Sequence, residues 1–128
     1  MRKIIFIEST DKKEIEKTFH SIYNIYEKQS SSQPEPMMNI VCSFDLEFGW
    51  SVIIFLRNKH RPEVFYKDGP EKLLISPAAI DLGGIVVTPR EEDYQKIDED
   101  ILRQIFNEVS LDEKKFSQLE KDVRRELN

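Results

Sequence analysis

Disulfides, membrane spans and metal centres all lack their raw material in this sequence. One cysteine, Cys42, cannot close an internal disulfide, which suits a reducing compartment. The two histidines, His20 and His60, stand far apart, and the cysteine has no partner at metal-binding spacing, so no metal or cofactor is expected. No apolar run approaches the roughly 20 residues of a bilayer span. The opening MRKIIFIEST has too short an apolar core for a signal peptide. The chain is therefore expected to be cytoplasmic. Positive charge is also in deficit: 19 Lys and Arg against 24 Asp and Glu leave a net charge of −5. That balance argues against general binding to nucleic acid or to a membrane surface, both of which exploit excess cations.

What is present fits one folded domain over residues 1–128, with 39% hydrophobic and 34% charged residues. Such a length buries about two-thirds of the unfolded surface and sustains a single core. Lys3 to Ile7 reads as a first strand. Asp11 with Glu14 has the form of a helix-capping pair, and Ile15, Phe19, Ile22 and Tyr26 then share one face of a helix over about residues 11–28. His20 lies beside that stripe and is expected to face solvent. QSSSQPEP, residues 29–36, is polar with two prolines and predicts an extended connection.

Met38–Phe44 and Trp50–Leu56 flank a short segment ending in Gly49 and predict an antiparallel hairpin. WSVIIFL is apolar on both alternating faces, so it is expected in the centre of the sheet, with helices on one side and another cover on the other. Cys42, between Val41 and Ser43, is expected as a small buried hydrophobe. Lys72–Ile75 and Ile85–Val87 read as further strands. Between them Ser76 before Pro77 suggests a helix cap and one helical turn through Ala78, Ala79 and Ile80, broken by Gly83 and Gly84. Arg90 to Tyr94 forms a charged exit. Asp98 or Asp100 opens a helix bearing Ile101, Leu102, Ile105, Phe106 and Val109. Ser110 with Glu113 has the capping form for a last helix bearing Phe116, Leu119, Val123 and Leu127. The expected architecture is α+β: a mostly antiparallel sheet of four to five strands with one N-terminal and two C-terminal helices packed on it.

The chemistry-bearing candidates concentrate after the central strand. Arg57, Lys59, His60 and Arg61 place four potential cations in five positions of an acidic protein. Arginine offers a planar fork of donors that matches phosphate oxygens, lysine a mobile point charge, and imidazole a proton donor. The alternative is a solvated turn whose charges pair with Glu63, Asp68 and Glu71. Ser76 and Asp81 are supporting candidates: they satisfy nearby backbone donors, or Asp81 orients His60 or an arginine. ISPAAIDLGG lacks the glycine spacing and the Gly-Lys-Ser/Thr of a phosphate loop, and it is no dinucleotide fingerprint. Trp50, Phe55, Phe65 and Tyr66 are aromatic enough to stack a base, although strand aromatics are more often core. No nucleophile and base pair is recognisable, so no catalytic residue is assigned.

The ordered blocks Glu35-Pro36-Met37-Met38-Asn39-Ile40-Val41-Cys42, GWSVIIFLRNKHRP, ISPAAIDLGG and IVVTPREEDY, within about residues 35–110, resemble the C-terminal part of a bacterial family. That family is related to the GDP-hexose phosphorylases and diadenosine tetraphosphate phosphorylases of the histidine-triad (HIT-like) superfamily. In those enzymes a His-x-His-x-His or His-x-His-x-Gln motif supplies the histidine that attacks the α-phosphate. His20 and His60 each lack a second histidine two residues away, so no nucleophile carries over. The resemblance implies a non-catalytic C-terminal domain of a larger nucleotidyltransferase or phosphorylase. Its expected partners are a nucleotide or nucleotide-sugar and a HIT-motif-bearing domain or chain, with self-association into a homo-oligomer also in view. A module of another class, purely structural and docking its sheet on a partner with no ligand, is the competing expectation.

Overall fold

The computed structural model describes residues 3–30 and 35–128; the middle of the polar connection, residues 31–34, lies outside the described residues. Three strands, β1 (Ile5–Ser9), β2 (Met38–Asp45) and β3 (Gly49–Leu56), form an antiparallel sheet in the order β1-β3-β2. Five helices accompany it: α1 (Lys12–Gln29), α2 (Ala79–Leu82), α3 (Glu91–Lys96), α4 (Glu99–Val109) and α5 (Glu113–Leu127). The apolar run WSVIIFL is central, as its two-faced hydrophobicity predicts. Register places Ile54 between Ile5 and Ile40, and Ile53 between Phe6 and Val41.

Side chains alternate across a strand, so Val52, Ile54 and Leu56 share one face. They form the main core with Ile7, Ile15, Ile22, Tyr26, Leu111, Leu119 and Val123. The helical stripes of α1 and α5 therefore meet the strand stripe as their periodicities require. At the start of α1 the Asp11 carboxylate accepts the Lys13 N–H at 2.9 Å. Glu14 takes the Ser9 hydroxyl at 2.5 Å, and the same hydroxyl oxygen accepts the Asp11 N–H at 3.1 Å, so the cap is relayed through Ser9. Gly49 closes the hairpin at φ 82°, and a Cβ there would lie 2.7 Å from the Ser9 carbonyl oxygen. Only glycine fits both that φ and that approach.

Several expectations are corrected. The sheet has three strands among the described residues, not four to five. In residues 72–75 the Leu73 N–H goes to the Val64 carbonyl and the Leu74 N–H to the Asp93 carboxylate. No ladder can form from groups already spent on a loop and a side chain. Leu73 and Ile75 are buried all the same, in a second, smaller core with Ile105. In residues 85–87 the Ile85 N–H goes to the Ile80 carbonyl and the Val87 N–H to Asp81, while Ile85 and Val87 stay exposed. The charged exit is a helix, α3. Ala78, rather than Ser76, precedes α2. Asp112, rather than Ser110, caps α5, because Ser110 is drawn into a bridge with Arg57. Cys42 is exposed, not buried, because β2 lies at the edge of the sheet while α1 packs against β1 and β3.

No helix among the described residues is long and apolar enough to cross a membrane. Nor does any group of three or more His, Cys, Asp or Glu among them stand close enough to hold a metal ion.

Candidate functional site

The end of β3 is held from three directions. The Leu111 N–H reaches the Leu56 carbonyl at 3.0 Å and the Asn58 N–H reaches the Val109 carbonyl at 2.8 Å, so the α4–α5 junction extends the sheet on one side. The Arg57 N–H reaches the Met37 carbonyl at 2.9 Å on the other. From below, the buried Tyr26 hydroxyl donates to the Arg57 carbonyl at 2.8 Å. Arg57 thus leaves the strand with its backbone fixed.

Its side chain is equally committed. Nη1 donates to Asn39 Oδ1 and to the Pro77 carbonyl at 2.7 Å; Nη2 donates to the Lys59 and His60 carbonyls at 2.9 and 2.8 Å; Nε donates to Lys59 O at 3.3 Å. All five N–H groups of the guanidinium meet protein acceptors. Arg57 is only 5% exposed. Burial pushes its guanidinium below the usual value, and the Asp81 carboxylate opposes that shift. The residue is the hub that shapes the loop over residues 57–61 and ties it to the segment at Pro77.

Lys59 turns away from this hub. Its ammonium pairs with Glu108 at 2.8 Å and with Glu63 at 3.3 Å, and the hydrogen bond it donates to Glu108 holds its value above the usual one. Glu108 also accepts the Glu63 N–H at 2.8 Å. The expected pairing with Glu63 is therefore present, joined by an acidic partner on α4 that lies remote in sequence.

His60 and Arg61 are exposed and border an open cleft of about 440 Å³, within the range of small-molecule sites. The lining also brings in Met37, Met38 and Asn39 from the approach to β2 and its start, Ser76, Pro77 and Ala78 from the loop before α2, and Tyr66. Arg61 lies over the Phe65 ring at 4.2 Å, and its Nε donates to Ser76 Oγ at 3.3 Å. Its terminal nitrogens make no hydrogen bond among the described residues, so the planar fork is available to a ligand. Asn39 gives its amide oxygen to Arg57, which leaves its amide N–H groups as donors. Among the described residues no aspartate or glutamate lines the cleft. Its lining therefore carries the cations Arg57 and Arg61 in a chain with a net charge of −5.

Asp81 is buried and makes no hydrogen bond to His60 among the described residues. Its Oδ2 accepts the Ala78 N–H at 2.8 Å and its Oδ1 the Val87 N–H at 3.2 Å, so it holds the loop around α2 together. Of the four aromatic candidates, Phe55 is buried, Phe65 is covered by Arg61, and Trp50 packs against Phe44 with ring centroids 4.9 Å apart. Tyr66, 66% exposed, is the one that lines the cleft. Asn39 and Pro77 escape sequence reading, because one looks like an ordinary strand residue and the other contributes only its carbonyl. A second ion pair frames the site from a distance. Asp93, fully buried, is gripped by Arg90 Nε and Nη2 at 2.8 Å each and accepts the Leu74 N–H at 2.9 Å. It fastens the segment leading to Ser76 onto α3.

No curated protein and no solved structure matches the chain. The family model described as "GDPGP1-like, C-terminal domain" matches residues 1–128, a wider span than the blocks that carry the resemblance to the relatives of GDP-hexose phosphorylases. The chain belongs to the GDPGP1-like, C-terminal domain family.

Proposed function

We propose that this chain serves as the accessory C-terminal domain of a HIT-like nucleotide phosphorylase or nucleotidyltransferase, and that its cleft receives a phosphate group of a nucleotide or nucleotide-sugar. The observation that carries this reading is the cleft beside Arg61 and His60: cationic, free of carboxylates in its lining, and of small-molecule size. Within it the roles divide by geometry. Arg61 supplies the open fork for phosphate oxygens, while His60, the Asn39 amide and the Ser76 hydroxyl add donors. Tyr66 offers a face for a base or sugar. Arg57 acts by holding the loop in shape and by its charge; Lys59 anchors the loop to α4 through Glu108; Asp81 supports the segment that carries Ser76. The nucleophilic histidine of the reaction would come from a HIT-motif-bearing domain or chain, in keeping with the absence of a His-x-His motif here.

The test is a titration of the isotopically labelled chain with GDP, ADP and GDP-sugars up to millimolar concentration. Amide shifts confined to Asn39, His60, Arg61, Tyr66 and Ser76, lost in Arg61→Ala, are expected. Silence at these positions in the wild-type chain would sink the reading.

A further inference from the structure

The outer edge of β2 is paired to no strand among the described residues. Met37 lies opposite Arg57 in the continuation of the β2–β3 register, and the Arg57 N–H bonds to the Met37 carbonyl. Hydrogen-bonded pairs alternate along an antiparallel ladder, so Asn39, Val41, Ser43 and Asp45 turn their backbone groups toward β3. Met38, Ile40, Cys42 and Phe44 turn theirs outward, and no cross-chain or loop backbone bond meets them among the described residues. This edge is eight residues long, paired to β3 without a bulge, free of proline, and uncharged from Met38 to Phe44. Ile40 and Phe44 are 41% and 55% exposed. Of the usual protections of an edge strand, charge, proline and a bulge are missing from residues 38–44, and α2 is the helix that approaches β2.

We propose that β2 pairs antiparallel with β2 of a second copy of this chain about a two-fold axis at Cys42, joining two three-stranded sheets into one of six. Outward-facing residues must meet outward-facing residues, so parity restricts the register. Centring it on Cys42 sets Ile40 against Phe44 of the second copy, an apolar pair that the two-fold axis repeats on the same face, and brings Met38 level with the hairpin turn. On the other face Val41 meets Ser43, and Asp45 meets Asn39. The arrangement is isologous, each contact occurring twice, and no charge faces its like. It is also complementary in sign. The acidic hairpin of one copy, with Asp45 and Glu47, lies at the end of the other strand that leads to the exposed Arg61. A second copy is thus the occupant whose chemistry the edge itself specifies. Cross-strand apolar pairs and a continuous ladder are the forces that would hold it.

Sedimentation equilibrium over a micromolar to millimolar series tests the pairing. The expected species has twice the 15.2 kDa mass of the chain. In amide exchange, Met38, Ile40, Cys42 and Phe44 are expected to slow by about tenfold or more as the dimer forms, whereas Asn39, Val41 and Ser43 are protected at every concentration. In a mixed-isotope dimer, contacts between Ile40 and Phe44 of different copies are expected. Cys42→Pro removes the central outward N–H without touching the ladder to β3, and Ile40→Lys sets a lysine against Phe44. Both are expected to sediment as monomers with unchanged circular dichroism; Ile40→Lys, at an exposed position, decides the matter if the proline variant does not fold. A wild-type chain that stays at 15.2 kDa throughout, or a dimer that survives Ile40→Lys, overturns the proposal and leaves the edge to a strand from a different protein. A dimer without Ile40–Phe44 contacts overturns the Cys42-centred register.

Discussion

Arg57 Nη1 donates to the carbonyl of Pro77 at 2.7 Å, joining the end of the central strand to a loop twenty residues further along the chain. The same guanidinium closes the loop over residues 57–60 by bonding the Lys59 and His60 carbonyls, so one side chain ties together two walls of the cleft.

Arg57→Lys is expected to destabilise the protein by about 3 kcal/mol, since an ammonium cannot reach four acceptors arranged around a planar fork and leaves buried carbonyls unsatisfied. Urea unfolding followed by fluorescence of Trp50 measures the loss. An unchanged midpoint would show that the guanidinium network does not hold the loop.

Arg61→Ala is expected to behave in the opposite way. The side chain is exposed and its terminal nitrogens are unspent, so stability should stay within about 0.5 kcal/mol of the parent. Affinity for a nucleoside diphosphate should fall by about tenfold or more, the worth of a charge-assisted bidentate contact. Calorimetric titration of the two proteins side by side checks both halves of this expectation.

Acid is expected to weaken the fold through Asp93. Hydrogen bonds from Arg90 hold its carboxyl below the usual value, with help from the Leu74 N–H and against the upward push of burial. A depressed folded value contributes stability that is fully present above the unfolded value of about 3.9 and is lost as pH falls toward the folded one. Glu108 acts in the same direction: burial pushes it upward, but the bonds from Lys59 and the Glu63 N–H outweigh that and leave it lowered. Thermal midpoints measured from neutral pH downward should decline below about pH 4. Asp93→Asn should lower the neutral plateau and flatten the decline; a variant that keeps the full acid slope would remove Asp93 as its source.

Gly49→Ala should cost about 2 kcal/mol or more, because the left-handed backbone and the 2.7 Å approach of the Ser9 carbonyl oxygen act together. Chemical denaturation against the parent measures it. A loss no larger than that of an exposed loop substitution would mean that the hairpin relaxes freely.

The elements built on a strong period are legible in the sequence alone. Ile15, Ile22 and Tyr26 recur as a helix face and do line the core, and the seven residues of WSVIIFL do occupy the middle of the sheet. The segments at Lys72–Ile75 and Ile85–Val87 were not legible, because a short apolar run records only that side chains seek burial. Where its backbone bonds go depended on Asp93, Asp81 and Val64, which the local sequence does not connect to it. The cationic cluster at residues 57–61 was visible as a cluster, yet its division of labour was not. Lys59 is claimed by Glu108 and Arg57 by Asn39 and Pro77, partners scattered along the chain.

Composition, periodicity and the ordered blocks of residues by themselves determined an acidic α+β chain, its hairpin, its long first and last helices and its kinship. These are local or additive properties, carried by a few neighbouring residues at a time. Tertiary structure alone decided that Arg57 is an internal brace while Arg61 stays open, that Cys42 and Phe44 stand exposed on an edge strand, and that a cleft with no carboxylate among its described lining residues lies beside Tyr66. Each of those outcomes depends on which distant groups reach a donor or an apolar face first, and that competition is settled only when the chain closes on itself.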